Sequence, residues 1–591
     1  MSFKRTSLFP PTPTTARGNS TKLSAHKDKI VYTNGKAVIN PLLATVYTGH
    51  VQNTTVARIS PSGYYCASAD AFGTVRVWDT VGEDQILKGE YKVISGKIND
   101  LEWDGESKRI IAVGDGREKF GHAFMMDTGS STGEISGHNK AINAVAIRHQ
   151  RPFRAATAAD DASIVFHQGA PYKYDKTIRT HTKFVQDVRY APSGDQFVSV
   201  GSDSKIFLYD GKTGETLAEV TDSPHKGSIM ACSWSSDSKS FATSSADCTV
   251  KLWDVETRKA TTTWTVGKGV NYQQMGNVWS RESDIVSLSL SGDLNVFDSR
   301  TGDKAARVIT GPQKSITAVA PSGSETFLAG TADGRVVEYS TSSGEAASVA
   351  GDGHTSIIVG LAAAEGKVYS AGWDDRVREI GGTSFSTASI STTAQPKAIA
   401  TAADGTVFVV EVNGIEAIRN NQKVAHLATK YAPSAVGTSG TLVAVGGEDQ
   451  KVRLLEWSGT SLKEIALLED NKGVVSALEF SPDGKLLAAG DSTGRIVLFD
   501  VKEQKTITAR WSFHSARVNS LSWTADSKHC ASGSLDTHVY VWSVENPNRN
   551  IALKNAGPGG VNVVLWTGKG GRLVSAGADG CVRVWEVVFH A

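Results

Sequence analysis

Short runs of alternating apolar and polar residues fill the chain and are separated by residues that favour tight turns. Alternation with a period of two is the pattern of a β-strand with one buried face, and no stretch shows the period of a long amphipathic helix. Turn sequences such as Ser-Pro-Ser-Gly (60–63) and Ser-Pro-Asp-Gly (481–484) lie between consecutive runs, as expected of hairpins. The pattern therefore predicts an all-β protein built from short antiparallel strands.

One unit of this pattern recurs along the whole chain. A strand of small residues is followed by Asp in a tight turn and by an alternating apolar strand that ends in an aromatic residue, as in 244–254 and 532–542. The anchor that ends this strand recurs at intervals of 37 to 48 residues, about 42 on average. The fourteen anchor positions that we assign are Ile39, Trp78, Met126, Phe166, Tyr209, Trp253, Phe297, Tyr339, Ile380, Ile418, Leu455, Phe499, Trp542 and Trp585.

A period of about 40–45 residues with Gly-His and Trp-Asp pairs is typical of a four-stranded propeller blade. Because single propellers usually have four to eight blades, fourteen units predict two tandem seven-bladed WD-repeat β-propellers. We assign residues 13–311 to the first propeller and 312–591 to the second, with the boundary at Gly311-Pro312. The sequence after Trp585 is too short for a fourth strand. We therefore expect residues 1–12 to supply a strand that pairs with the last blade of the second propeller.

Composition narrows the classes of partner. The chain has 62 Lys+Arg and 61 Asp+Glu residues, which gives a net charge of +1. A general binder of nucleic acid or of anionic membranes normally carries a basic excess, so we expect neither partner. There is no apolar run long enough for a transmembrane helix, and the five cysteines are scattered singly. These features predict a reducing, cytoplasmic compartment. We also expect the chain to be a monomer.

Sets of His, Ser, Asp and Trp within the units contain the residue types of a catalytic triad, as in His514, Ser532 and Asp536. The same set recurs around His50 and His225, and a catalytic site is rarely copied around a ring. A buried hydrogen-bond network that stabilises each blade explains the copies better. The sequence also lacks a His-x-x-x-His pair and a phosphate-binding glycine loop. We therefore predict no enzymatic activity, no metal and no cofactor.

The places where the repeat is broken are the candidates for binding. The third unit has a long charged turn around Glu118, and the fourth doubles its turn acid as Asp160-Asp161. Phe184 lies in the next loop, and turns and loops of this kind emerge at the same face of a propeller. An exposed aromatic residue flanked by charges is typical of a protein-binding hot spot. The alternative interpretation is that Phe184 belongs to the core, Asp160 is the structural turn acid and Glu118 is only solvated.

Several strings outside the repeat resemble the actin-interacting protein 1 family, the WD-repeat cofactors of ADF/cofilin. The resemblance covers the whole chain and includes the count of fourteen units. The strings that carry it are Leu-Phe-Pro (8–10), Ser-Pro-Ser-Gly-Tyr-Tyr-Cys-Ala-Ser (60–68), Gly-Arg-Glu-Lys-Phe-Gly-His (116–122), Arg-Pro-Phe-Arg (151–154), His-Thr-Lys-Phe-Val (181–185) and Trp-Asp-Asp (373–375).

This resemblance implies binding to actin filaments decorated with ADF/cofilin, promotion of filament severing and disassembly, and association with barbed ends. It also implies a location at the cytoplasmic actin cytoskeleton. Residues of the first propeller contribute to this activity in the family. The strings that carry these residues are Gly-Arg-Glu (116–118), the Asp-Asp turn (160–161), Pro-Tyr-Lys-Tyr (171–174) and His-Thr-Lys-Phe (181–184). By position in them, the implied actin- and cofilin-binding residues are Glu118, Asp160, Lys173, Tyr174 and Phe184.

Two other classes of function remain open at this point. A generic WD-repeat scaffold, such as a ubiquitin-ligase substrate receptor or a ribosome-assembly factor, would tend to carry extra docking segments or basic tails. A propeller enzyme would need one non-repeated cluster of acids or histidines in a channel, and the sequence shows no such cluster. Cofilin-dependent co-sedimentation with actin would distinguish the three.

Overall fold

The computed structural model describes residues 2–41, 45–82, 84–281, 283–300, 302–364, 366–568 and 571–589. In these ranges the chain forms 56 β-strands, numbered here in chain order, and one 3-10 helix at Val270–Tyr272. No helix within the described ranges is long and apolar enough to cross a membrane. The prediction of an all-β chain is confirmed.

The described strands form fourteen four-stranded antiparallel sheets, which are the blades of two propellers. One compact unit spans Thr12–Thr310, and the other contains the residues up to Pro11 and from Gly311 onward. Seven of the described sheets lie in each unit, so the predicted pair of seven-bladed propellers is confirmed. We number the blades 1–7 in the first propeller and 8–14 in the second.

The first propeller follows a simple meander in each blade. Its strands are, blade by blade, β2 (Ser24–His26), β3 (Lys29–Asn34), β4 (Ala37–Asn40), β5 (Thr45–Tyr47); β6 (Thr54–Ile59), β7 (Tyr65–Asp70), β8 (Thr74–Asp79), β9 (Leu87–Lys92); β10 (Gly96–Trp103), β11 (Arg109–Gly116), β12 (Gly121–Met125), β13 (Ser131–Glu134); β14 (Ile142–Ile147), β15 (Arg154–Ala159), β16 (Ile164–Gln168), β17 (Lys173–Ile178); β18 (Val185–Tyr190), β19 (Gln196–Gly201), β20 (Ile206–Asp210), β21 (Thr216–Glu219); β22 (Ile229–Trp234), β23 (Ser240–Ser245), β24 (Thr249–Asp254), β25 (Ala260–Thr265); β26 (Gln274–Ser280), β27 (Asp284–Ser289), β28 (Leu294–Asp298), β29 (Arg307–Ile309).

The second propeller repeats the meander in its first six blades. Its strands are β30 (Ile316–Pro321), β31 (Thr326–Thr331), β32 (Val336–Ser340), β33 (Ala346–Ser348); β34 (Ile358–Ala364), β35 (Lys367–Gly372), β36 (Arg376–Gly381), β37 (Ser384–Ser391); β38 (Pro396–Thr401), β39 (Val407–Glu411), β40 (Gly414–Arg419), β41 (Gln422–Ala428); β42 (Pro433–Ser439), β43 (Leu442–Gly447), β44 (Val452–Trp457), β45 (Leu462–Leu468); β46 (Val475–Phe480), β47 (Leu486–Asp491), β48 (Ile496–Asp500), β49 (Lys505–Trp511); β50 (Val518–Trp523), β51 (His529–Ser534), β52 (Val539–Ser543), β53 (Asn550–Leu553); β54 (Val561–Thr567), β55 (Arg572–Gly577), β56 (Val582–Val588) and β1 (Ser2–Phe9).

The fourth strand of blade 14 comes from the other end of the chain. Strand β1 pairs antiparallel with β56, from Ser2 opposite Val588 to Phe9 opposite Val582. The Phe9 side chain is buried and meets the Tyr339 ring of blade 8 edge-on, with ring centroids 5.2 Å apart. This contact fills the junction between the first and last blades of the second propeller, and the pairing covers the edge that β56 would otherwise expose.

The apolar core of each propeller lies between neighbouring blades. Between blades 4 and 5, for example, Ala156 and Phe166 pack in one cluster with Val188 and Phe197. The second strands are buried along most of their length, and in several blades they are built mainly from small residues, as in the Arg-Ala-Ala-Thr-Ala-Ala sequence of β15. This packing explains why the repeat unit alternates small strands with strands that carry large apolar residues.

A buried ionic network joins the inner strands of the first propeller. Arg189 Nη2 lies 2.8 Å from Asp100 Oδ2 and 3.0 Å from Asp187 Oδ1, and Lys22 Nζ lies 2.8 Å from the same Asp187 oxygen. Arg58 also contacts Asp100, at 3.0 Å. Burial opposes ionisation of Asp100, but Arg189 and Arg58 hold its pKa at about 2. The ionised carboxylates therefore link three strands, β6, β10 and β18, and the segment before β2 that carries Lys22.

Candidate functional site

The repeated His, Asp, Ser and Trp residues of a blade form a buried hydrogen-bond network, which we call the lock. In blade 13, His514 Nδ1 lies 2.9 Å from Asp536 and its Nε2 lies 2.8 Å from the Ser532 hydroxyl, which also accepts a hydrogen bond from Trp542 Nε1. Burial raises the pKa of Asp536, but the hydrogen bond and charge of His514, together with the backbone N–H groups of Ser515 and His538, outweigh it and bring the pKa to about 2. The lock ties the loop before the first strand to the second and third strands.

Blade 4 contains a variant of this lock. His138 Nδ1 lies 3.0 Å from Asp161, and its Nε2 lies 2.9 Å from the Thr157 hydroxyl. The residue at the Trp position is His167, whose Nε2 lies 3.1 Å from the same hydroxyl. Burial, with a contribution from His138, lowers the pKa of His167 to about 3, so this ring is neutral. The assignment of Phe166 as the anchor is therefore wrong by one residue.

This shift separates Asp160 from the structural acid. Asp161 stands six residues before His167, the same interval that separates Asp536 from Trp542. The Asp160 carboxylate instead accepts a hydrogen bond from Asn143 Nδ2 at 2.7 Å. The interpretation of Asp160 as the turn acid of the lock is therefore wrong, since Asp161 occupies that place.

Phe184 lies beside Asp160 on the next blade. Its ring is 47% exposed, and its carbonyl accepts a hydrogen bond from Ser202 N at 2.8 Å, which fixes the backbone just before β18. Asn143 Nδ2 also donates to Val185 O at 3.1 Å, so one amide connects Asp160 with the residue after Phe184. The alternative assignment of Phe184 to the core is wrong, because the chain presents its ring to solvent.

A depression of about 700 Å³ contains both residues. It lies at the end of blades 4 and 5 that carries the turn between the second and third strands, which we call the upper end. Its lining carries charges of both signs around an apolar ring. The lining residues are Asn139, Lys140, Asp160, Asp161, Ala162, Thr182, Lys183, Phe184, Ser202 and Ser228.

Glu118 also lies at the upper end, but in blade 3 and outside this depression. Arg117 N donates to Ser95 O at 3.3 Å, the same inter-strand bond that Asp160 N makes with Ala141 O at 3.0 Å. Glu118 is therefore one residue past the position that Asp160 occupies in its own blade. Its side chain is exposed and forms no ion pair with a described residue.

Lys173 and Tyr174 begin the outer strand of blade 4, next to the end of β16 and so at the lower end of the blade. The Tyr174 ring is exposed and lies close to Gly137, and its hydroxyl is 3.1 Å from the Thr177 hydroxyl. Tyr172 is buried, so only one of the two tyrosines is available to a partner. The described contacts do not bring Lys173 or Tyr174 into the depression.

Comparison with known proteins places the chain in a family. Residues 41–79, 172–210, 218–254 and 553–586 match the family model described as WD domain, G-beta repeat, and residues 429–555 match one described as Vps8 beta-propeller. A Drosophila melanogaster protein named actin-interacting protein 1 is 38% identical over 532 residues, which cover 88% of this chain and 87% of its own. The chain belongs to the actin-interacting protein 1 family.

Two further members of the actin-interacting protein 1 family show the same breadth of similarity. WD repeat-containing protein 1 of Gallus gallus is 38% identical and covers 85% of both chains. The 66 kDa stress protein of Physarum polycephalum is 37% identical over 88% of this chain and 89% of its own. The similarity therefore spans both propellers.

The structure also shows residues that the sequence did not single out in this member of the actin-interacting protein 1 family. Asn143 connects Asp160 to the next blade, and Lys140 lines the same depression as Lys183. The strings His-Asn-Lys (138–140) and His-Thr-Lys (181–183) occupy equivalent places in neighbouring blades. Alignment of these two strings would have indicated Lys140.

Proposed function

We propose that this chain binds actin filaments and works with ADF/cofilin to promote their severing and disassembly, and that it associates with barbed ends in the cytoplasmic actin cytoskeleton. Membership of the family supports the proposal, since one relative is named actin-interacting protein 1. The observation that carries it is the depression in which the exposed Phe184 ring lies beside the Asp160 carboxylate.

The chemistry of this depression suits a protein partner. An exposed aromatic ring offers a large apolar contact at a low cost in side-chain entropy, and aromatic residues dominate the energy of protein interfaces. Lys140 and Lys183 flank the ring together with Asp160, so charges of both signs can set the orientation of the partner. The Ser202 N–H donates to the Phe184 carbonyl, and the Asn143 amide donates to both Asp160 and the Val185 carbonyl, so these bonds connect the two blades at this surface.

The proposed mechanism is non-covalent. A protein that binds cofilin-decorated filaments more tightly than bare filaments shifts the filament population toward the decorated state, and by no more than its difference in affinity. Severing then follows from the altered filament rather than from a reaction at the propeller. The proposal therefore depends on a measurable difference between two affinities.

Co-sedimentation with actin, with and without cofilin, tests the proposal. Phe184→Ala should weaken binding to decorated filaments about 30-fold, because loss of a hot-spot aromatic costs about 2 kcal/mol. Tyr64→Ala is the matched control, since Tyr64 is 61% exposed and lies in the turn between β6 and β7, at the lower end of blade 2. Folding of each variant is checked by circular dichroism.

The outcomes separate the alternatives. Equal binding to bare and decorated filaments would favour a generic WD-repeat scaffold, and no binding to either would overturn the proposal. Glu118→Ala, Asp160→Ala, Lys173→Ala and Tyr174→Ala map the extent of the surface. If only the variants at 173 and 174 lose binding, the contact lies at the outer edge of blade 4 rather than in the depression.

A further inference from the structure

Blade 10 has no histidine in the loop before its first strand. In blade 9 of the same propeller, His354 Nδ1 lies 2.7 Å from Asp374 and its Nε2 lies 2.8 Å from Ser370, which is the usual lock. The corresponding loop of blade 10, residues 392–395, reads Thr-Thr-Ala-Gln. A different set of polar side chains occupies this part of the blade.

Three potential metal ligands converge there. Glu411 ends β39, Glu416 lies in β40, and His426 lies directly opposite Glu416 in β41. One ligand atom from each residue lies within 4.8 Å of the other two, and His426 Nε2 is 4.0 Å from Glu411 Oε2. Both glutamates are fully buried, at 0% exposure, whereas the histidine faces solvent.

In each carboxylate, one oxygen accepts hydrogen bonds from described residues and the other oxygen accepts none. Thr393 N donates to Glu411 Oε1 at 2.9 Å. Glu416 Oε1 accepts hydrogen bonds from Lys423 Nζ at 2.7 Å and from the Thr393 hydroxyl. The buried Oε2 atoms of Glu411 and Glu416 accept no hydrogen bond from any described residue. Second-sphere bonds that orient a carboxylate in this way are a regular feature of metal sites.

Two buried carboxylates side by side carry an electrostatic cost. Both carboxylates are fully buried and offer ligand atoms within 4.8 Å of each other, so their negative charges repel. The Lys423 ammonium neutralises one negative charge, which leaves a net charge of −1 on the cluster when His426 is neutral. A cation between the two Oε2 atoms would relieve this repulsion and use both unbonded acceptors.

We propose that Glu411 Oε2, Glu416 Oε2 and His426 Nε2 bind one divalent transition-metal ion, with Zn²⁺ as the preferred ion. Carboxylate oxygen with imidazole nitrogen suits Zn²⁺ and its transition-metal neighbours, whereas Ca²⁺ and Mg²⁺ prefer oxygen ligands alone. Three protein ligands leave a fourth position for water on the exposed side of His426. The ion would join β39, β40 and β41 of blade 10.

The geometry requires only a small contraction. Zinc bonds of about 2.1 Å at tetrahedral angles place ligand atoms about 3.4 Å apart. The 4.0 Å separation of His426 from Glu411 must therefore shorten by about 0.6 Å, and the other two separations, which are at most 4.8 Å, by no more than about 1.4 Å. The exposed imidazole can rotate to supply this movement. A Cβ at Gly414 would come within 2.8 Å of His426 Nε2, so glycine leaves room for the ring.

Zinc binding to the full chain tests the proposal without any actin. The protein is treated with a chelator, dialysed and titrated with Zn²⁺ in competition with a chromophoric chelator at pH 7.5. We expect one equivalent to bind, and Glu411→Gln, Glu416→Gln and His426→Gln each to weaken this binding at least about 100-fold. Glu469→Gln is the matched control, because Glu469 is an exposed carboxylate in the neighbouring blade.

Cobalt provides a second readout. Co²⁺ at this site should give the visible absorption of a four- or five-coordinate ion, and His426→Gln should change or abolish that spectrum. His426 lies on an exposed outer strand, so this variant remains decisive even if the buried glutamate variants do not fold. Equal affinity in the wild type and all variants would show adventitious binding and overturn the proposal. A chain that binds no zinc would also overturn it, and would indicate that the two glutamates share a proton.

Discussion

Asp160 and Asp161 are adjacent residues of one type, and the structure gives them different roles. The Asp161 carboxylate accepts hydrogen bonds from His138 Nδ1 at 3.0 Å, Asn139 N at 3.2 Å, and Ser163 N and Oγ at 3.0 and 2.6 Å. Among the described residues, only the Asn143 side chain donates a hydrogen bond to Asp160. We therefore predict that Asp161→Ala strongly destabilises blade 4, whereas Asp160→Ala affects binding with little loss of stability.

The size of this difference follows from the donors left without an acceptor. His138 and Ser163 are buried, and an unsatisfied buried donor costs about 1–3 kcal/mol, so Asp161→Ala should cost about 3 kcal/mol. Asn139 N is exposed and regains a hydrogen bond from water. Asp160→Ala should cost no more than about 1 kcal/mol, because Asn143 keeps its bond to Val185 O at 3.1 Å.

Hydrogen exchange resolves this difference, since it reports local opening in a chain with two propellers. A cost of about 3 kcal/mol should increase exchange of the β15 and β16 amides about 100-fold, because each 1.4 kcal/mol is tenfold. Strands β22 and β23 provide an internal control within the same propeller. If Asp160→Ala accelerates exchange as much as Asp161→Ala, or if Asp161→Ala has no effect, the assignment of the lock to Asp161 is refuted.

Two further predictions concern the stability of each propeller. Since the pKa of Asp100 is lowered from 3.8 to about 2 in the fold, its ion pairs stabilise the first propeller at every pH above about 4 and are lost as the pH falls through about 2. The stability difference between wild type and Asp100→Asn in thermal unfolding should therefore shrink by about 2 kcal/mol between pH 5 and pH 2. Phe9→Ala should destabilise the second propeller by about 3–5 kcal/mol because Phe9 is buried against Tyr339, whereas Phe3→Ala, on the exposed part of β1, should have a much smaller effect. Calorimetry that shows equal losses for Phe3→Ala and Phe9→Ala would contradict this account.

Only part of the candidate site could be predicted from the sequence. The breaks in the repeat correctly singled out residues that the fold leaves exposed, including Glu118, Tyr174 and Phe184. The pattern did not separate Tyr172, which is buried, from Tyr174, which is exposed. The two residues are two positions apart at the start of the outer strand β17, so alternation places both on the same face. Which tyrosine meets solvent depends on packing against the neighbouring blade.

The sequence by itself determined the number of blades and the class of fold, because each blade is a local meander whose alternation and turn residues lie within about 42 consecutive residues. Only the tertiary structure decided the anchors of blades 3 and 4, where Phe124 and His167 take the places assigned to Met126 and Phe166. The shift is two residues in blade 3 and one residue in blade 4, where it moves the side chain to the other face of the strand. Apolar neighbours at these positions hide both shifts in the sequence. The tertiary structure also brought Glu411, Glu416 and His426 together, because register across three strands, rather than spacing along the chain, sets which side chains meet.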